Sequence, residues 1–283
     1  MRRLRIHHLT IYQFSNPVTL QPHRLLIRPR EGHDVRIESS KLDIAPAHRV
    51  RWHRDVFDNS VAVVRFLETA DRLAIGSEVT IQHYDETPYD FIVEDYAVRY
   101  PFAYQPEEQV DLVPFQQPVY LGPQAVPSDW LGRFTQEPLE TYVLLDRLNR
   151  TIASEFQYVI REEPGVQPPA RTLASRSGSC RDYATLFIET CRHLGLASRF
   201  VSGYSHAPAT EAGSATTHAW AEVYLPGPGW KGFDPTAGEV TSSRHIPVAV
   251  ARHPEAVPPV AGSFIGPKGP LPTLTVAVQV TAL

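Results

Sequence analysis

Cysteine is scarce in this chain: Cys180 and Cys191 are the only two among 283 residues. Two cysteines cannot build a disulfide framework. If both lie on one helix, the offset of eleven residues separates them by roughly 16 Å, which is too far for a disulfide bond. Two free thiols are typical of a reducing compartment, so we predict a cytoplasmic protein in which Cys191 is a small core residue.

Long hydrophobic runs and an excess of positive charge are also lacking. No window approaches 18 uninterrupted apolar residues, and the basic N-terminus is not followed by an apolar run. These patterns predict neither a membrane span nor a signal peptide. The net charge of −4 argues against a general nucleic-acid binder. We therefore expect neither a membrane nor a nucleic acid as partner, and the sequence leaves the oligomeric state open.

Patterns of metal ligation are lacking as well, although the first part of the chain is rich in histidine. Its seven histidines are His7, His8, His23, His33, His48, His53 and His83. Their spacing matches no known ligand pattern, and no calcium-binding loop is visible. We predict no metal site and no organic cofactor.

The N-terminal region alternates between apolar and polar residues, as strands do. The alternating segments are residues 4–12, 24–29, 36–44, 49–53, 60–66 and 73–84. Short strands at regular spacing, with turns between them, predict an antiparallel β-sandwich over residues 1–105.

Proline dominates the next segment, and helical periodicity follows it. We predict that residues 106–135 form an extended, proline-rich connection that packs through its aromatic side chains. Residues 138–156 place apolar side chains on one helical face. The remainder, residues 136–283, is predicted to form the second domain, and a clear strand over residues 274–280 is counted with it.

The most informative stretch places Cys180 at the start of a periodic helix. Ser177 or Ser179 can cap its beginning, and Gly195 lies where a left-handed C-terminal cap belongs. The predicted buried face consists of Ala184, Phe187, Ile188, Cys191 and Leu194. The free amides and dipole of a helix start favour an anion, so this position favours a thiolate.

Two later strands can supply partners for that thiol. Residues 216–225 and 230–236 flank the turn Pro226-Gly227-Pro228-Gly229 and predict a hairpin. The hairpin can bring Asp234 beside His218, which gives a thiol, an imidazole base and an orienting carboxylate. His218 and Asp234 share a face only if opposed residue numbers sum to an even value, such as 452 or 454, or if a bulge intervenes.

Four motifs in order resemble the core of the transglutaminase-like superfamily. They are Gly178-Ser179-Cys180-Arg181-Asp182, Gly203-Tyr204, residues 218–223 and Phe233-Asp234-Pro235-Thr236. The N-terminal region resembles the β-rich domain of a bacterial subgroup. The resemblance implies an α+β chain: a sandwich followed by a papain-like core, whose cysteine-bearing helix packs on an antiparallel sheet carrying histidine and aspartate. It also implies Cys180 as nucleophile, His218 as base and Asp234 as orienting acid.

The sequence also offers further candidate site residues. The Cys180 backbone N–H is the first candidate oxyanion donor, and a side chain of Gln157 or Tyr158 is the second. Asp182, Trp220 and Tyr204 are candidate substrate contacts; for Asp182 the alternative is a partner of the helix dipole. The small-residue segment 205–215 is predicted to be a mobile segment that lines the cleft, or else a plain hairpin loop.

These residues predict acyl transfer from an amide through a thioester. The acceptor is either water, as in a peptidase or amidase, or an amine, as in protein cross-linking. We favour hydrolysis of a peptide or protein amide, because bacterial members of the superfamily look more often hydrolytic and no calcium pattern is present. A rival hypothesis is a non-enzymatic binding or assembly protein on the same scaffold.

Overall fold

A computed structural model describes residues 1–84, 89–161, 163–206 and 217–283. Its strands in the N-terminal region are β1 (Arg2–Leu20), β2 (His23–Leu25), β3 (Val35–Ala45), β4 (His48–Arg54), β5 (Ser60–Phe66) and β6 (Ala70–His83). The later strands are β7 (Arg99–Tyr100), β8 (Leu139–Glu140), β9 (Gln157–Tyr158), β10 (Ser177–Gly178), β11 (Ser198–Ser205), β12 (Thr217–Leu225), β13 (Gly229–Asp234), β14 (Glu239–Val240), β15 (His245–Ala251), β16 (Val260–Ala261), β17 (Phe264–Ile265) and β18 (Thr273–Ala282). The α-helices are α1 (Pro106–Gln116), α2 (Ser128–Gly132), α3 (Thr141–Glu155), α4 (Pro169–Ser175) and α5 (Cys180–His193).

The N-terminal strands form two antiparallel sheets that face each other. One sheet has the order β3, β6, β1, and the other has the order β4, β5, β2. Leu25 and Val64 of one sheet pack with Leu73, Ile75 and Phe14 of the other. The alternation of apolar and polar residues buries one face of each sheet, and the predicted sandwich is confirmed.

The second unit is built on a five-stranded antiparallel sheet with the order β14, β13, β12, β11, β15. Helix α5 packs against β11 and β12 of this sheet. Phe187 of α5 stacks on Phe233 of β13, with ring centroids 5.5 Å apart. The predicted helical face is correct, and Gly195 has the expected left-handed backbone, with φ of 79°. The α+β class and the helix-on-sheet core are confirmed.

The proline-rich segment differs from the prediction. Residues 106–135 contain α1 and α2 instead of an extended connection. Pro106 occupies the first helical turn, where a missing N–H costs nothing. Trp130 of α2 is buried, and its indole N–H donates to Thr190 Oγ1 of α5 at 3.0 Å. The segment is therefore part of the packed core, and its helix-starting prolines are not helix breakers.

The end of the described chain also departs from the prediction. Strand β18 was counted with the 136–283 unit, but it pairs with β1 from Leu4↔Ala282 to Gln13↔Thr273. Strands β16 and β17 likewise pair with β2 and β1. Strand β6 pairs with only one edge of β1, and the backbone groups on the other edge are paired by β18.

Among the described residues, no helix is both long enough and apolar enough to cross a bilayer.

Candidate active site

Cys180 is the first residue of α5 and is partly exposed. The turn before it is fixed by Asp182, whose Oδ2 accepts from the Ser179 N–H and hydroxyl at 2.8 Å each. Asp182 Oδ1 accepts from Arg161 Nη1 at 2.8 Å and from the Gln167 N–H at 2.7 Å. Burial alone would raise the pKa of Asp182, but these hydrogen bonds lower it.

Asp182 is therefore not a substrate contact, and that prediction is wrong. Its side chain is wholly buried, and both oxygens are occupied by the bonds that join the helix start to the segment before it. The alternative of a partner for the first helical turn is the one the structure supports.

Tyr158 reaches the thiol from a neighbouring strand. Strand β9 runs parallel to β10, which pairs Tyr158 with Gly178 just before Cys180. Burial, the nearby Cys180 and a hydrogen bond between the two side chains raise the pKa of Tyr158 to about 12. Adjacent residues of a strand project to opposite sides, so the side chain of Gln157 points away from the thiol. Of the two predicted side-chain donors, Tyr158 is the one placed beside Cys180.

The hairpin of β12 and β13 brings His218 and Asp234 together. Its opposed residue numbers sum to 454, from Ala221↔Phe233 to Leu225↔Gly229, which confirms the predicted even register. His218 Nε2 lies 2.7 Å from Asp234 Oδ2. Because Nε2 faces the carboxylate, Nδ1 is the ring nitrogen left for Cys180, with which His218 also forms a hydrogen bond.

The electrostatics of this pair favour a charged imidazole. Burial lowers the pKa of His218, but hydrogen bonds with Asp234 and Cys180 outweigh it and raise the value to about 10. Burial raises the pKa of Asp234, yet its bonds to His218 and His245 bring it well below its usual range. The arrangement therefore stabilises a proton on His218 between two groups that can carry negative charge.

His245 is a member of this cluster that the sequence did not reveal. It begins β15 and places Nε2 3.1 Å from Asp234 Oδ2. No short-range pattern in the sequence links residue 245 to residue 234. Only the pairing of β15 with β11 brings it beside the hairpin.

Within the described residues, the side chains of His218, Asp234 and His245 place ligand-type atoms within 4.8 Å of one another. The contacts of 2.7 and 3.1 Å to Asp234 Oδ2 are hydrogen-bond lengths. Tetrahedral zinc, with bonds of 2.0–2.1 Å, would hold its ligand atoms about 3.3 Å apart. The cluster is thus accounted for by hydrogen bonding.

Trp220 and Tyr204 lie in the core, so both are wrongly predicted as substrate contacts. Trp220 is buried with Val201 and Val250, and its ring meets His245 edge-on at 5.3 Å. The Tyr204 hydroxyl donates to the Ile27 carbonyl and lies 2.8 Å from His8 Nδ1. Both side chains are large and amphipathic, which made them resemble contact residues in the sequence.

The predicted cleft-lining segment, residues 205–215, falls mostly on residues 207–216, which lie outside the described residues.

Family comparisons agree with this architecture. Residues 4–82 match the bacterial transglutaminase-like N-terminal region, and residues 128–235 match the transglutaminase-like superfamily. The uncharacterized protein Rv2569c of Mycobacterium tuberculosis is 30% identical over 279 residues, which cover 92% of this chain and 87% of the relative. The uncharacterized protein ML0607 of Mycobacterium leprae is 24% identical over the full length of both chains.

A solved structure from Cytophaga hutchinsonii, described as a candidate cysteine protease, has the same fold. It superposes with a TM-score of 0.77 at 18% identity and covers 100% of this chain and 91% of its own. With both family regions matched in order, the chain belongs to the transglutaminase-like superfamily and carries the N-terminal region of its bacterial members.

Proposed function

We propose that this protein transfers the acyl group of a peptide or protein amide to water through a thioester on Cys180. The observation that carries the proposal is the placement of His218, which bonds Asp234 at 2.7 Å and also bonds Cys180. A thiol, an imidazole and a buried carboxylate in that order form an activated nucleophile.

In the first half-reaction, Cys180 Sγ attacks the amide carbon and a C–S bond forms. The carbonyl π electrons move to oxygen and give a tetrahedral oxyanion. When the C–N bond breaks, the leaving nitrogen takes the proton of His218, so that an amine departs and a thioester remains. Asp234 stabilises the imidazolium and keeps its ring oriented.

Two donors suit the oxyanion. The N–H of Cys180 is at the start of α5, where a helix supplies no internal acceptor. The Tyr158 hydroxyl is the second, since a pKa of about 12 keeps its proton in place at neutral pH. Both lie beside the sulfur, where the developing charge must be bound.

In the second half-reaction, His218 removes a proton from water, whose oxygen attacks the thioester carbon. The C–S bond breaks, the thiolate returns, and a carboxylic acid is released. These steps require no metal or organic cofactor.

Two cysteines without a disulfide partner support a cytoplasmic location, as proposed from the sequence.

Mass spectrometry of the intact protein tests the thioester. After rapid mixing with a peptide pool and acid quenching, we expect an acyl adduct on Cys180. The Cys180→Ala variant should show none, while Cys191→Ala should behave as the native protein. If no adduct or product forms, and Cys180→Ala binds the same peptides equally well, the binding-protein hypothesis replaces this one.

The acceptor is decided in the same mixture by adding a fluorescent primary amine. Hydrolysis gives products that gain the mass of one water molecule, and the amine stays unincorporated. Incorporation of the fluorophore that disappears in Cys180→Ala would instead establish amine transfer and contradict the choice of water.

A further inference from the structure

His245 is the second histidine that contacts Asp234 Oδ2, and its ring centroid lies 6.2 Å from that of His218. It is buried at the start of β15, and the Trp220 ring packs against it. Strand β15 pairs antiparallel with β11, and His245 is opposite Ser205 in that pairing. The backbone of the sheet therefore fixes where this imidazole sits.

The bonds of His245 define its tautomer. The Ser242 N–H donates to Nδ1 at 3.2 Å, and a backbone amide can only donate. Nδ1 therefore has no proton, the ring is neutral, and Nε2 carries the hydrogen. Nε2–H then donates to Asp234 Oδ2 at 3.1 Å.

Asp234 consequently receives three donors, one on Oδ1 and two on Oδ2. The Thr236 N–H donates to Oδ1 at 2.9 Å, while His218 and His245 both meet Oδ2. Rotation about the last bond of an aspartate side chain is soft, so a single anchor leaves the carboxylate plane poorly defined. Thr236 on Oδ1 and His245 on Oδ2 together fix the plane of the carboxylate.

We infer that His245 is a positioning residue, which holds Asp234 so that Oδ2 faces the His218 ring. The inference rests on the proposed function, because it assigns Asp234 the task of orienting His218. Within the described residues, the side-chain contacts of His245 are with Ser242, Asp234, His218 and Trp220, and none is with Cys180. His245 orients Asp234, Asp234 orients His218, and His218 acts on the thiol. Hydrogen-bond partners of metal-bound or catalytic histidines act in the same indirect way.

Alkylation of Cys180 tests this inference without a substrate. The rate of carbamidomethylation by iodoacetamide is measured between pH 5.5 and 9 by peptide mapping, in the native protein, His245→Ala and His245→Gln. Glutamine restores an N–H near the position of Nε2. His8→Gln is the matched control, because His8 is also a buried histidine but lies on β1 of the sandwich, where it bonds Thr10 and Tyr204 and not Asp234.

We expect His245→Ala to lower the rate at pH 6–7 by at least fivefold, His245→Gln to stay within about twofold, and His8→Gln to match the native rate, consistent with one lost hydrogen bond to a charged group. Native-like rates in a folded His245→Ala, or equal losses in alanine and glutamine variants, would overturn the positioning role. Failure of the proposed function looks different: native Cys180 would then react no faster than in His218→Ala.

If His245→Ala does not fold, a measurement on the native protein still tests the inference. The ¹⁵N shifts of labelled histidine rings distinguish a protonated from an unprotonated nitrogen. A protonated Nε2 with a bare Nδ1 on His245 at pH 7 supports the inference. The opposite tautomer would overturn it, because Nε2 of His245 would then have no proton to donate to Asp234.

Discussion

His218 and Asp234 are 16 residues apart in the chain, and their side chains meet at 2.7 Å across one hairpin. The even register of β12 and β13 puts both on the same face, and the strand ends leave His218 within reach of Cys180. A shift of one residue would place Asp234 on the opposite face and separate the pair.

Asp234→Asn keeps the size of the side chain but removes its charge. We expect acyl-adduct formation on Cys180 to fall by about 10²- to 10³-fold, because the imidazolium loses its stabilising carboxylate. The measurement is the single-turnover rate by intact mass. A control in Glu239→Gln, at the exposed end of β14, should retain the native rate. A loss below threefold in folded Asp234→Asn would contradict the role given to the carboxylate.

The stability of the protein should decline at alkaline pH because of His218. Its pKa rises from 6.5 in the unfolded chain to about 10 in the folded protein, so the folded state holds the proton more tightly. This contribution is fully present below pH 6.5, decreases as the pH rises and is lost above pH 10. Urea unfolding between pH 6 and 10.5 measures it. His218→Gln should flatten that decline, and an unchanged slope in this variant would refute the assignment.

The two thiols should differ sharply in reactivity. Cys180 is partly exposed at a helix start, whereas Cys191 is wholly buried and burial raises its pKa. With iodoacetamide at pH 7 we expect Cys180 to react faster by on the order of 10²-fold. Peptide mapping separates the two sites, and addition of urea should equalise them. Equal slow reaction in the native protein would favour the binding-protein hypothesis.

Gly203 is required by close packing beneath the site. A Cβ built there would lie 2.4 Å from the Ile246 carbonyl oxygen and 2.5 Å from the Trp220 ring. Gly203→Ala should therefore lower the free energy of unfolding by about 3 kcal/mol, measured by urea titration. Gly132→Ala is the control, since its Cβ would meet nothing within 4 Å. Equal free energies of unfolding in the two variants would contradict this, because β11 and β15 would then accommodate the methyl group with no loss of stability.

Asn59 joins the sandwich to the sheet that carries His245. Its amide donates to Asp55 Oδ2 and to the Val250 carbonyl, and its oxygen accepts from Arg30 and from the Val250 N–H. Asn59→Ala leaves these buried groups unpaired, so we expect a loss of about 3 kcal/mol in thermal or urea unfolding. The exposed Asn16→Ala serves as control and should change little. A similar small change at Asn59 would mean that water replaces the amide.

Local patterns in the sequence predicted the parts of the site that depend on short-range geometry. The start of α5 at Cys180 and the even hairpin register follow from periodicity and parity, which need no tertiary information. The inward or outward direction of Tyr204 and Trp220 depends on which sheet face the sandwich covers. His245 depends on the β11–β15 pairing, which joins strands separated by the whole hairpin.

Strand β18 follows the entire core in the chain but completes the sheet that begins with β1. During synthesis, the backbone donors and acceptors on one edge of β1 therefore stay unpaired until the whole unit that contains α5 has left the ribosome. The unit that contains α5 is synthesised between these two paired strands, so the pairing of β1 with β18 forms last. A nascent chain that stalls before residue 273 exposes that edge, which makes it a template for pairing with other chains and a natural target for chaperones.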